Sequence, residues 1–154
     1  MNGLFIDICY LLFFIGPISI FIHESGHAAG AIIEKAYPIT VHIGKGKRFF
    51  RLHIKRVNII VYRWYFLGGA TDFSRAVPCS IKKMILTSLA GPLCNLIVAA
   101  FFLMISLKTT DEQYLLWCLF NTWLGLSNII PYKWRGNPSD GYLVWHAVRC
   151  RDNG

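Results

Sequence analysis

The sequence predicts an α-helical polytopic membrane protein with three to four transmembrane helices and a small β-hairpin inserted in a cytoplasmic loop. Three observations support this fold class. Hydrophobic residues make up 55% of the 154 residues, and the mean hydropathy is +0.44. Several apolar runs are long enough to cross a bilayer, and the basic residues are crowded between two of them. The chain therefore reads as one membrane-embedded domain over residues 1–154.

The first apolar run begins at Leu4 and is interrupted only by Asp7 before Ile22. The helical pattern continues to about Ala36, ahead of Pro38, so we expect a first span over residues 4–36. A cleaved signal peptide is the competing interpretation. It is disfavoured because the N-terminus lacks the basic region that such peptides have.

Two further runs, residues 85–107 and 114–130, have about the length that a bilayer core requires. A fourth apolar stretch, residues 141–150, is short. It could be a partial span or an interfacial helix.

The charge pattern predicts an orientation. The formal net charge is +8, and ten of the 16 Lys and Arg residues lie between the first and second apolar runs. This loop should therefore be cytoplasmic, with the N-terminus outside. There is no nucleic-acid-binding motif, so the charge does not indicate a nucleic-acid partner. The five cysteines form no closely spaced pair, which argues against a disulfide framework.

Within the basic loop, residues 39–66 are expected to form the β-hairpin. Polar and apolar residues alternate from Arg51 to Lys55, and Gly44-Lys45-Gly46 is typical of a turn. Gly68-Gly69 then indicates a tight turn or a close backbone approach before the next span.

The strongest chemical signal is His23-Glu24-Ser25-Gly26-His27, which lies in the first apolar helix. Residues four apart share one face of a helix, so both imidazoles can reach one metal ion. In helical sites of this kind the histidines bind zinc, and the glutamate is the general base that deprotonates the water that zinc activates. The sequence therefore predicts a zinc site at His23 and His27, toward the cytoplasmic face, with Glu24 as the base.

A catalytic zinc usually has three protein ligands, so one more is needed. Asp7 lies about 24 Å from His23 along the same helix, and Glu34 lies about 10 Å beyond His27, so geometry argues against both. Asp140 is favoured because it follows a turn-rich stretch on the side predicted to hold the metal. Its alternative role is a helix N-cap. The weaker candidates are Asp72, Asp152, His42, His53 and His146.

Three motifs follow one another along the chain. They are His23-Glu24-Ser25-Gly26-His27, Ala90-Gly91-Pro92-Leu93-Cys94-Asn95, and Asn128-Ile129-Ile130-Pro131 followed by Asn137-Pro138-Ser139-Asp140-Gly141. In this order they resemble the site-2 protease family of intramembrane zinc metalloproteases. The resemblance extends in outline over the whole chain.

The resemblance implies a reaction and a set of roles. One zinc ion would be bound by His23, His27 and Asp140, and Glu24 would be the catalytic base. Asn95 would hold the scissile carbonyl or its oxyanion, although a polar residue that bridges helices is an equally good interpretation. The expected reaction is hydrolysis of a peptide bond in or next to a transmembrane segment of a membrane-protein or peptide substrate within the lipid bilayer.

One alternative function and one question about the hairpin remain open at this stage. The chain could be a membrane zinc-binding module without proteolytic activity that engages a partner through its basic hairpin. The hairpin itself could lie against anionic lipid head groups, or it could bind an extended substrate by backbone hydrogen bonds, and both could hold.

Overall fold

The computed structural model describes residues 2–74 and 80–152, with side chains described for residues 3–74 and 80–149. Helices dominate it. In chain order the elements are α1 (Asn2–Tyr10), a π-helical segment (Leu11–Ile15), α2 (Gly16–Ile33), β1 (Ile39–Ile54), β2 (Val57–Phe73), α3 (Ile81–Ser106), α4 (Glu112–Ile129), β3 (Lys133–Trp134), β4 (Asn137–Pro138) and α5 (Asp140–Asp152).

The first helix is continuous from Gly3 to Ile33 and contains one π-helical turn. The turn ends two residues before Pro17, which has no backbone N–H and whose ring would crowd the carbonyl four residues earlier. A π turn accommodates this residue, and the Gly16 N–H donates to the Leu11 carbonyl oxygen. The helix ends three residues before the expected Ala36, because Lys35 adopts a left-handed φ of 61°.

Two helices, Gly3–Ile33 and Ile81–Ser106, are long and apolar enough to cross a membrane by length and composition. The predicted count of three to four spans is not confirmed. Helix α4 has 18 residues but includes polar side chains such as Asn121 and Asn128. Helix α5 has 13 residues, fewer than the roughly 20 that a perpendicular span needs.

The β-hairpin forms, but each of the two long strands contributes two separate paired segments. Residues 50–54 pair antiparallel with 57–61 across a turn at Lys55-Arg56, which makes the hairpin itself. Residues 39–43 pair in parallel with 57–61 and antiparallel with 69–73. The Gly44-Lys45-Gly46 stretch therefore lies inside β1, where the pairing changes, and both glycines have positive φ. The extended structure also runs beyond residue 66, to Phe73.

Alternating side chains of β1 pack the sheet against α2. Ile39, Val41 and Ile43 are buried, and they form one core cluster with Ala28 and Ala31 of the helix. Small residues on the helix let the sheet approach closely. Helix α3 lies against α2 and α4, and α5 lies against α3. The result is a sheet and a helical bundle that share α2.

Candidate metal centre

His23 and His27 lie one turn apart on α2, and their Nε2 atoms are 3.1 Å apart. The carboxylate of Asp140, at the start of α5, completes the group. Its Oδ2 lies 3.1 Å from His23 Nε2, and its Oδ1 lies 3.2 Å from His27 Nε2. The fold thus brings together three donor residues separated by up to 117 positions in the sequence.

The other ring nitrogen of each histidine has an oxygen partner that fixes the tautomer. His23 Nδ1 lies 2.7 Å from Asn95 Oδ1, and His27 Nδ1 lies 2.8 Å from the Thr87 carbonyl oxygen. Both oxygens are acceptors, so each Nδ1 carries the proton and each Nε2 presents a lone pair. Two lone pairs and a carboxylate therefore converge on one point, which is unfavourable unless a cation is bound there.

The separations fit zinc. With ligand distances of about 2.0–2.1 Å, the ligand atoms of a tetrahedral site are about 3.3–3.4 Å apart. The observed 3.1–3.2 Å is close to this value. The three donors leave the fourth position of a tetrahedron for water or substrate, as in catalytic zinc sites.

Asp140 is free to face the histidines because its neighbour caps the helix. Ser139 Oγ accepts the Tyr142 N–H at 3.1 Å, which is the capping bond, and it also accepts the Tyr132 N–H at 3.1 Å. The Ser139 hydroxyl donates to the Ile130 carbonyl oxygen. The N-cap role that was the alternative for Asp140 therefore belongs to Ser139.

Glu24 is buried beside this group and is held by the sheet. Thr71 Oγ1 on β2 lies 2.7 Å from Glu24 Oε2. Both residues line a cleft of about 490 Å³ that also contains His23, His27 and Asp140. Gly69 approaches closely as well, since a Cβ at this position would lie 2.9 Å from Glu24 Cγ. Of the two roles expected for Gly68-Gly69, the close backbone approach applies at Gly69.

The structure places Asn95 behind the histidine, away from the cleft. Asn95 is fully buried, with its amide oxygen on His23 Nδ1. Its Nδ2 donates to the Ser19 carbonyl oxygen and to Asn121 Oδ1. Asn121 Nδ2 in turn donates to Ser19 Oγ. This amide network joins α2, α3 and α4.

Close helix packing brings α3 against the motif. A Cβ on Gly91 would lie 2.4 Å from His27 Nε2, and one on Gly26 would lie 2.5 Å from the Ala90 carbonyl oxygen. Only glycine leaves room at these two points. Small residues at such points let two helices approach closely.

The other candidate ligands lie elsewhere. His42 bonds Tyr62 and pairs with Asp72, and His53 bonds Asn58. His146 stacks on Tyr142, and Glu34 accepts a hydrogen bond from Thr87. The side chain of Asp152 lies outside the described residues.

Sequence reasoning missed four residues that support or line the site: Thr71, Thr87, Asn121 and Asn128. Thr71 and Thr87 contact Glu24 and His27 from other elements, so no local spacing indicates them. Asn128 lines the cleft and begins the Asn-x-x-Pro motif, which gave it a signal in the sequence.

Apolar helices that bring two histidines, an aspartate and an adjacent glutamate to one cleft define the class of membrane-embedded metallopeptidases. The model of peptidase family M50 matches residues 10–115, more than half of the chain, and the chain belongs to this family. The resemblance to the site-2 proteases is thereby confirmed, and this family's members are zinc metalloproteases. No curated protein matches the chain. The family match ends before Asp140, so the position of this residue in the site rests on geometry alone.

Proposed function

We propose that this protein is an intramembrane zinc metalloprotease that hydrolyses a peptide bond in or next to a transmembrane segment of a membrane-protein or peptide substrate. The observation that carries the proposal is the convergence of His23 Nε2, His27 Nε2 and Asp140 beside buried Glu24. These three residues would hold one zinc ion. The bound metal would polarise the scissile carbonyl and make water a better nucleophile.

The protein's own residues have distinct tasks in this proposal. Glu24 accepts the proton of the attacking water and later delivers it to the leaving amine. Thr71 orients the Glu24 carboxylate through a bond of 2.7 Å. His23 and His27 keep their Nε2 atoms toward the metal because Asn95 and Thr87 hold the opposite nitrogens.

Asn95 supports the metal ligand in this scheme and does not contact the oxyanion. Its carboxamide has partners at both ends, and the residue is fully buried. Asn128 and Asn137 line the cleft beside Asp140. Either of these two amides is better placed than Asn95 to stabilise charge on the scissile oxygen.

The strand segment 69–73 supports a binding mode for the substrate. This segment pairs with 39–43 along one side, and its residues Gly69, Ala70 and Thr71 line the cleft. A peptide bond within an intact helix cannot be attacked, so the substrate must be drawn out as an extended strand. Such a strand can add to segment 69–73 by backbone hydrogen bonds.

The proposed orientation keeps the N-terminus outside and the cleft toward the cytoplasmic face. It is supported by the ten basic residues between the first two apolar runs. Water then reaches the site from the cytoplasm.

The decisive experiment uses Glu24→Gln in purified full-length protein reconstituted with a single-span substrate. We expect zinc to be retained and cleavage to fall by about 100-fold or more, since a positioned base contributes on this scale. Glu112→Gln is the matched control, because Glu112 is exposed in the first turn of α4. It should cleave normally. If the parent protein binds substrates without cutting them, and Glu24→Gln does the same, the non-proteolytic binding module is the correct interpretation.

A further inference from the structure

A second cavity, of about 410 Å³, lies between α2 and the sheet. Phe21, Ala29 and Ile32 line it from the helix, and Ile54 lines it from the end of β1. In the part of the chain that the structure describes, it shares no residue with the cleft at His23 and His27. The two cavities therefore lie on different faces of α2.

The interior of this groove is suited to hydrocarbon. Among the described residues, Ser25 is the only polar one that α2 contributes to the lining, and its Oγ donates to the Phe21 carbonyl oxygen at 2.7 Å. The hydroxyl is thus satisfied by its own helix. The lining side chains of Phe21, Ile32 and Ile54 are substantially exposed although apolar. Exposed apolar surface on a spanning helix matches acyl chains better than water.

Two adjacent cations, Lys55 and Arg56, also line the groove, in the turn between β1 and β2. Both are exposed, and neither forms an ion pair with any of the side chains described in 3–74 and 80–149. An apolar groove that also carries unpaired positive charge is complementary to a molecule with an acyl chain and an anionic head.

The backbone of this turn supports the same conclusion. Lys55 has a φ of 53°, and a two-residue hairpin loop with positive φ at its first position usually has glycine there. A lysine at this position is a local strain that turn formation does not require.

We propose that this groove binds an anionic phospholipid, with an acyl chain between α2 and the sheet and the phosphate at Lys55 and Arg56. The site is independent of peptide hydrolysis. It would fix the depth at which the sheet meets the bilayer, next to the helix that carries the metal ligands.

The test titrates detergent-purified full-length protein with phosphatidylglycerol or phosphatidylcholine and counts bound lipid by native mass spectrometry. We expect one phosphatidylglycerol to bind in preference to phosphatidylcholine. Lys55→Gln/Arg56→Gln should weaken this binding roughly 10- to 30-fold, from about fivefold for each removed charge. Lys47→Gln/Arg48→Gln removes the same charge from exposed β1 residues outside the groove and should leave the affinity unchanged.

A second pair of variants tests the apolar part. Ala29→Phe and Ile32→Trp fill the groove at exposed helix positions and keep both cations, so each should release the lipid. Excess inorganic phosphate should not displace it, because the acyl chain contributes to binding.

Four outcomes would overturn the proposal. They are equal binding of the two lipids, equal losses in the two charge variants, full binding in both filled variants, and displacement by phosphate alone, which would indicate a simple anion site. None of these measurements depends on proteolysis, so a failed cleavage assay leaves the result interpretable.

Discussion

Asn95 Oδ1 lies 2.7 Å from His23 Nδ1, across the contact between α3 and α2. This bond sets which nitrogen of His23 carries the proton and leaves Nε2 directed at His27 and Asp140. A side chain outside the cleft thereby controls a donor atom inside it.

The first prediction concerns this bond. Asn95→Leu preserves the approximate volume but removes the acceptor, so we expect zinc affinity to fall about 10- to 100-fold in a chelator competition assay. If Asn95 instead contacts the oxyanion, zinc affinity will be unchanged while kcat falls. The two measurements together separate the positioning role from the catalytic one.

Asp140→Asn should remove most zinc binding, because the amide is neutral and is a much weaker zinc ligand than carboxylate. The matched control is Asp72→Asn. Asp72 has a mostly exposed side chain that pairs with His42 outside the site. Metal content of the purified proteins, measured by elemental analysis, checks this prediction. Loss of zinc in Asp72→Asn with retention in Asp140→Asn would mean that the third ligand is misassigned.

Gly91→Ala should displace the His27 imidazole, because the new Cβ would lie 2.4 Å from Nε2. We expect a large loss of zinc affinity. Gly3→Ala serves as the control, since a Cβ at Gly3 has nothing within 4 Å. Alanine is also the better helix former, so this control should not lose stability. Normal zinc affinity in Gly91→Ala would show that His27 has room to move without cost.

Ser139→Ala should lower the free energy of unfolding in detergent by about 1–2 kcal/mol, the usual cost of losing an N-cap. It should also weaken zinc binding, because Asp140 is the next residue and begins α5. Ser106→Ala is a suitable control, as Ser106 is at the exposed end of α3 and bonds only the Leu103 carbonyl oxygen among the described residues. Equal stability of the two variants would remove the capping argument.

Metal removal should destabilise the parent protein. A ligand that binds only the folded state at 100 times its Kd contributes about 2.7 kcal/mol. Adding zinc to protein that a chelator has stripped of metal should therefore raise the midpoint temperature of thermal unfolding in detergent. The same addition should have little effect on Asp140→Asn. A midpoint that is independent of zinc in the parent protein would argue against a bound metal.

The metal-binding helix was predictable because its chemistry is local. His23 and His27 are four residues apart, and helical geometry alone places both rings on one face. The supporting residues were not predictable in this way. Asn95 and Thr87 come from another helix, 72 and 60 residues away in sequence, and only packing reveals their partners.

The sheet shows the same limit. Alternation from Arg51 to Lys55 correctly indicated extended structure, yet the turn lies at Lys55-Arg56 and Gly44-Lys45-Gly46 is inside a strand. Two nearby glycines indicate that the backbone can adopt positive φ. They do not distinguish a turn that reverses the chain from a point where a strand changes its pairing partner. Hydropathy has the same limit for the third predicted span, residues 114–130. Asn121 of α4 lowers the hydropathy of this segment, although its side chain turns inward and bonds Ser19 and Asn95.

In the proposed protease, the amide network of Asn95 and Asn121 would also restrict how a substrate enters. It ties α2, α3 and α4 together in the interior, and the contact of Gly26 with Ala90 leaves α2 and α3 almost backbone to backbone. Separating these helices would expose unpaired amides to hydrocarbon and release the proton-bearing nitrogen of His23. We therefore expect a substrate of the proposed protease to enter on the opposite side, between the strand segment 69–73 and α5. There, movement leaves this network and the His23 tautomer intact.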